Sequence, residues 1–83
     1  MTLAAARILI LSADMVAIRA AHAKLSDKSG AALAARDAAE ASEDWDAMDR
    51  AIKAMKRHDA AETALYCAIA AADRLANRDF WMR

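Results

Sequence analysis

Along most of the chain, apolar positions recur at alternating intervals of three and four, the spacing of helices that bury one stripe. The longest run is Ala31, Ala34, Ala38, Ala41, Trp45, Met48, Ile52 and Met55, alanine in its first half and large side chains in its second. It predicts a second helix from Gly30 to about Arg57. Before it, Ile8, Leu11, Met15, Ile18, His22 and Leu25 keep the same rhythm and predict a first helix over Leu3–Leu25, with Thr2 as N-cap. After it, Ala61, Leu65, Ala68, Ile69, Ala72, Leu75 and Ala76 form the inner face of a third helix from about Ala60 to Asn77, with Tyr66 at its edge.

Two interruptions separate these helices. Ser26-Asp27-Lys28-Ser29-Gly30 holds the only glycine within a cluster of turn formers and reads as a loop. Asp59 followed by Glu62 reads as a capping box, so the second and third helices should be antiparallel neighbours across a short turn at His58. A third position competes with these. Ser42 before Glu43, Asp44 and Asp46 resembles a helix start, since acidic groups favour the positive end of the helix dipole. Because the apolar rhythm passes through Ser42 unshifted, a continuous second helix is preferred over a break there, which would make four helices. The expected fold is an all-α, up-down-up three-helix bundle with alanine-rich seams, in one domain over residues 1–83.

Composition strengthens the helical reading and raises a question about stability. Alanine fills 26 of 83 positions, proline is absent and glycine occurs once, so good helix formers abound and breakers are nearly missing. Alanine also supplies more than half of the 59% hydrophobic content. Apart from Met1, only twenty large aliphatic, methionine, phenylalanine or tryptophan side chains remain. At roughly 1.5–3 kcal/mol for each one fully buried, that is a thin core against the entropy of ordering the chain. Close helix approach along alanine seams is one remedy, and self-association as a homodimer is another. Around Ile8–Leu11 the first helix is apolar on nearly every side, so Leu9 and Ile10 off the seam are candidate anchors for a partner. Phe80 and Trp81 near the end of the sequence are candidates too, either as anchors or as a plug for the bundle end.

Formal charge is zero, but unevenly spread: residues 26–49 carry seven acidic and two basic side chains, residues 50–83 seven basic and four acidic ones. The six carboxylates Asp37, Glu40, Glu43, Asp44, Asp46 and Asp49 form an acidic flank suited to steering a basic partner. On the exposed side of the second helix, Asp46–Arg50 and Asp49–Lys53 are spaced for i, i+4 ion pairs. Lys53, Lys56 and Arg57 fall where the second helix should end, where cations complement the helix dipole. The same cluster is the only candidate contact to nucleic acid, and it is narrow for phosphate recognition.

Candidate chemistry is sparse. Glu40, Glu43 and Asp44 share one helical face, but a di-iron bundle needs Glu-x-x-His pairs on facing helices, and none occurs. Cys67, the only cysteine, excludes an intrachain disulfide and a cysteine zinc site. It lies among alanines, as a small packing residue does. His22 is its nearest conceivable partner for nucleophilic chemistry, and is better read as a locally bonded seam histidine. One glycine cannot build a phosphate-binding loop. No catalytic, metal or cofactor-binding residue is expected. The run Ile8–Leu11 is short for a secretory signal, and Arg7, Asp14, Arg19 and Lys24 exclude a membrane span. The expectation is therefore a cytoplasmic, non-enzymatic protein–protein interaction module. In its most concrete form it is an inhibitor or adaptor acting on a larger complex, as a phage or mobile-element anti-CRISPR protein does. The alternative is a small nucleic-acid-binding transcriptional regulator using Lys53, Lys56 and Arg57.

Overall fold

The computed structural model describes the backbone of residues 1–81 and the side chains of residues 1–78. It is all-α, with three helices packed against one another: α1 over Leu3–Leu11, α2 over Met15–Ala41 and α3 over Trp45–Trp81. No strand occurs among the described residues. The α2–α3 contact is the most extensive, and α1 packs mainly on α3.

The helices end where two similar turns interrupt them. In each, a serine caps the preceding helix, the next residue turns into the left-handed region, and an aspartate caps the following helix. Ser12-Ala13-Asp14 does this with Ala13 at φ 56°, and Ser42-Glu43-Asp44 with Glu43 at φ 57°. An Asp14 carboxylate oxygen accepts from Ala17 N–H at 3.1 Å, and one of Asp44 from Ala47 N–H at 3.1 Å. At the second turn, Asp44 N–H reaches the Ala39 carbonyl at 2.9 Å and Glu43 N–H the Glu40 carbonyl at 3.1 Å. This pair of bonds is the Schellman arrangement, which satisfies the orphan carbonyls of a helix end. Thr2 caps α1, accepting from Ala5 N–H at 3.1 Å.

Three helices are present, but cut at different points from those the sequence suggests. The break near Ser42 is real, and the preference for continuity there is overturned. Leu3–Leu25 is not one helix, because the turn at Ser12–Asp14 splits it. Ser26–Gly30 is not a loop but the middle of α2. Its serines are satisfied across the helix pair: the Ser29 hydroxyl donates to Glu62 at 2.7 Å and that of Ser26 at 3.2 Å. Glu62 is thereby employed as an acceptor for α2, and Asp59 lies within α3 instead of starting a helix.

The seam shifts accordingly. The buried or half-buried stripe of α2 is Ile18, His22, Leu25, Ser29, Ala32, Arg36 and Ala39. Ala31, Ala34, Ala38 and Ala41 are all exposed, and so is Trp45 at 60%. On α3 the predicted inner face survives through Ala61 and Leu65, which are buried, and Ala68, Ile69 and Ala72, which are half-buried. It fails at Leu75 and Ala76, both exposed.

Antiparallel register between α2 and α3 is fixed by the Ser29–Glu62 bond and by Arg19–Asp73 at 2.7 Å. The latter is half-exposed and contributes at most about 1 kcal/mol. The core is Ala6, Ile18, Leu25, Ala61 and Leu65, with Leu9, Ile10, Met15, Ala21 and Ile69 packed against it. Every member belongs to α1 or to the stretches of α2 and α3 beside it. Beyond that block α2 and α3 continue as a two-helix arm ending at the Ser42–Asp44 turn. Principal extents of 57 × 25 × 15 Å record this length.

Candidate interaction surface

The turn at Ser42–Asp44 gathers the six acidic-flank residues at one end of the molecule. Asp37 and Glu40 close α2, Glu43 and Asp44 form the turn, and Asp46 and Asp49 open α3; all six are exposed. Trp45 stands among them as the first residue of α3, 60% exposed.

Local structure accounts for half of these carboxylates. Asp44 is the N-cap of α3, Asp37 contacts Arg36 at 3.2 Å, and Asp49 pairs with Lys53 at 2.9 Å. Glu40, Glu43 and Asp46 have no ion-pair partner among the described residues, and the expected Asp46–Arg50 pair does not form there. Among the described residues no group of three or more histidine, cysteine, aspartate or glutamate side chains is arranged to hold a metal ion.

The basic candidates sit elsewhere. Lys53, Lys56 and Arg57 are exposed on α3. They do not complement a helix C-terminus, because α3 runs on to Trp81. Lys53 is engaged by Asp49. Lys56 lines a groove of about 460 Å³ with Ser29, Arg36, Ile52, Met55, Asp59 and Glu62. That groove is mixed in charge and has an apolar floor.

Leu9 and Ile10 turn inward, half-buried against the core, while Ile8 at 70% and Leu11 at 85% face outward. Val16 at 81% lies just past the first turn. The Phe80 and Trp81 side chains fall outside the described residues. Sequence reasoning missed Trp45, Ile8 and Leu11 as exposed residues. The signal that locates them is the repeated Ser-x-Asp pattern at Ser12–Asp14 and Ser42–Asp44, each followed by alanine three positions after the aspartate.

His22 meets Tyr66, with ring centroids 6.1 Å apart, and Cys67 is exposed instead of packed. His58 Nδ1 is buried without a hydrogen-bond partner. Its pKa is lowered by desolvation first, then by the amino terminus, Lys28 and Arg57, against an opposing pull from Glu62. Among the described residues no helix is long and apolar enough to cross a membrane. No family model, no curated protein and no solved structure matches the chain.

Proposed function

We propose that the protein is a non-enzymatic binding module that docks through the tip of its α2–α3 hairpin onto a basic surface of a larger complex. The observation that carries this reading is the tip itself. Six carboxylates share the tip of the hairpin with one exposed tryptophan, three of them free of ion pairs among the described residues. Clustered charge speeds encounter with a surface of opposite sign, and a solvent-exposed tryptophan is a residue type that anchors interface centres. A target whose basic groove binds nucleic acid fits this chemistry. The protein would then act as an inhibitor or adaptor of the kind phage and mobile elements encode, an anti-CRISPR-type protein among them. The lone exposed Cys67 suits a reducing, cytoplasmic setting.

The test is capture from the native host by three forms of the full chain. They are the unaltered protein, a tip variant (Trp45→Ala with Glu40→Gln, Glu43→Gln and Asp46→Asn) and a control (Lys53→Gln, Lys56→Gln and Arg57→Gln). The tip variant is expected to lose a nucleic-acid-binding partner that the other two retain. Retention by the tip variant overturns the reading.

A second reading, a small nucleic-acid-binding regulator, draws on one observation: Lys53, Lys56 and Arg57 are exposed in mid-helix and no longer explained by a helix end. A mobility shift at low salt that disappears in the Lys53, Lys56 and Arg57 control would favour it.

A further inference from the structure

Past the block that α1 covers, α2 and α3 form an arm with one flank that carries most of its large apolar side chains, bordered by charged ones. Ile52 and Met55 line the 460 Å³ groove with Ser29 and Arg36 of α2. Met48, seven residues before Met55, is on the same side of α3 by helical spacing. Leu33, four residues after Ser29 and three before Arg36, continues the flank on α2. Met48, Ile52 and Met55 are half-buried and Leu33 is 40% exposed. α1 cannot cover this flank. Its nine residues pack against the other half of the hairpin, as the core membership of Ala6, Leu9 and Ile10 shows.

We propose that a second copy of this chain covers it, two arms packing face to face about a two-fold axis near Ile52. Surface area supports this. A compact monomer of 8.9 kDa exposes about 4,800 Å² by the usual size scaling. This chain exposes 6065 Å². The surplus exceeds the roughly 800 Å² that each partner contributes to a stable interface of standard size. Shape agrees, since the radius of gyration is 16.3 Å against about 12 Å for a compact domain of this length. So does the core, where Ile18 and Leu65 are the only large side chains fully buried among the described residues.

A two-fold interface pairs each residue with a different residue of the other copy at the same distance from the axis. Face-to-face packing sets that axis in the interface plane, so in an antiparallel pair α3 lies over α3 of the other copy. About an axis near Ile52, Met48 of each copy comes to Met55 of its partner, and apolar side chains meet on both sides of the axis. Arg36 of α2 also lies near the axis, its charge met by Asp37 of its own chain. The dimer rests on this flank and not on Trp45, Glu40, Glu43 or Asp46, so it stands or falls separately from docking through the tip.

Sedimentation equilibrium of the full chain tests this. A mass approaching twice 8.9 kDa at high micromolar concentration is expected, returning to 8.9 kDa on dilution. Ile52→Glu should weaken association at least about tenfold, with helical circular dichroism unchanged at low concentration. Because Ile52 is half-buried in its own chain, two further variants guard the result. Met48→Glu on the same flank should weaken the dimer likewise, and Leu75→Glu, exposed in the last part of α3, should leave it unchanged. A mass of one chain at every concentration, a dimer indifferent to Ile52→Glu and Met48→Glu, or one weakened equally by Leu75→Glu overturns the proposal.

Discussion

The two halves of the α2–α3 hairpin are made of similar helix, yet one is held on two sides and the other on one. Beside α1, the inner positions are Ile18, Leu25, Ala61 and Leu65, all 3% exposed or less. In the arm, the only buried positions among the described residues are Ala39 at 5% and Ala51 at 6%. Alanine lets the arm helices approach closely but removes little apolar area from water. The larger side chains of the arm, Leu33, Met48, Ile52 and Met55, lie on its flank and are only partly covered. The comparison teaches that an alanine-rich hairpin needs a third wall, and that α1 supplies it for only half the length. Along the arm the apolar surface left without that wall stays partly in solvent.

The largest expected effect follows directly. Leu65→Ala opens a cavity in the walled half and should cost about 2–5 kcal/mol. In so small a protein that is a large share of total stability. Ile52→Ala in the arm, measured at a concentration where the chain is monomeric, should cost less, about 1–2 kcal/mol, since its side chain keeps part of its surface in water. Urea unfolding of both variants checks this. Equal costs would mean that the arm is as firmly walled as the rest.

A smaller effect of opposite sign is expected from two backbone exchanges. Gly30 lies within α2 with no heavy atom near the place its Cβ would take. Gly30→Ala should therefore stabilise by about 0.5–1 kcal/mol. Glu43 holds φ 57° at the turn of the arm, where a side chain is strained by roughly 1–2 kcal/mol. Glu43→Gly relieves that strain and should raise stability by about 1 kcal/mol. Thermal midpoints measure both. A loss at Gly30→Ala would break the assignment of Ser26–Gly30 to a helix.

These positions also mark how far the sequence could be read. Helical class was legible from alanine content and the absence of proline. So was the stripe through Ile18 and Leu25 and the one through Ala61 and Leu65, because their large side chains have one possible phase. Between Ala31 and Ala41 the phase is degenerate. Ala31 with Ala32, Ala34 with Ala35 and Ala38 with Ala39 are adjacent pairs, so a stripe displaced by one position still reads as alanine. The large residues from Trp45 onward then appeared to settle the phase, although they belong to another helix. Turn composition misled at Ser26–Gly30 because Glu62, far away in sequence, supplies the partner for its serines. The acidic residues were legible as neighbours along the chain. Their gathering at one end with Trp45 was not, because on an unbroken helix they would be spread along a rod. Leu9 and Ile10 were indistinguishable from Ile8 and Leu11 until the turn at Ser12 fixed which pair faces the core.

The smallest expected effect probes His58, on α3 between the groove-lining Met55 and the buried Ala61. The folded protein disfavours its imidazolium: Nδ1 is buried without a partner, and the amino terminus, Lys28 and Arg57 repel a further cation more than Glu62 attracts it. The folded pKa therefore lies below the ordinary 6.5. Above that value the histidine is neutral in both folded and unfolded chains and stability does not respond to its titration. As the pH falls below 6.5, the unfolded chain takes up a proton that the folded one refuses, so stability declines with falling pH until the folded group is protonated too. Denaturation midpoints at neutral and mildly acidic pH should show this decline. His58→Gln, which carries no titrating proton, should narrow the difference. An unchanged pH dependence in the variant would mean that His58 is not held neutral by its surroundings.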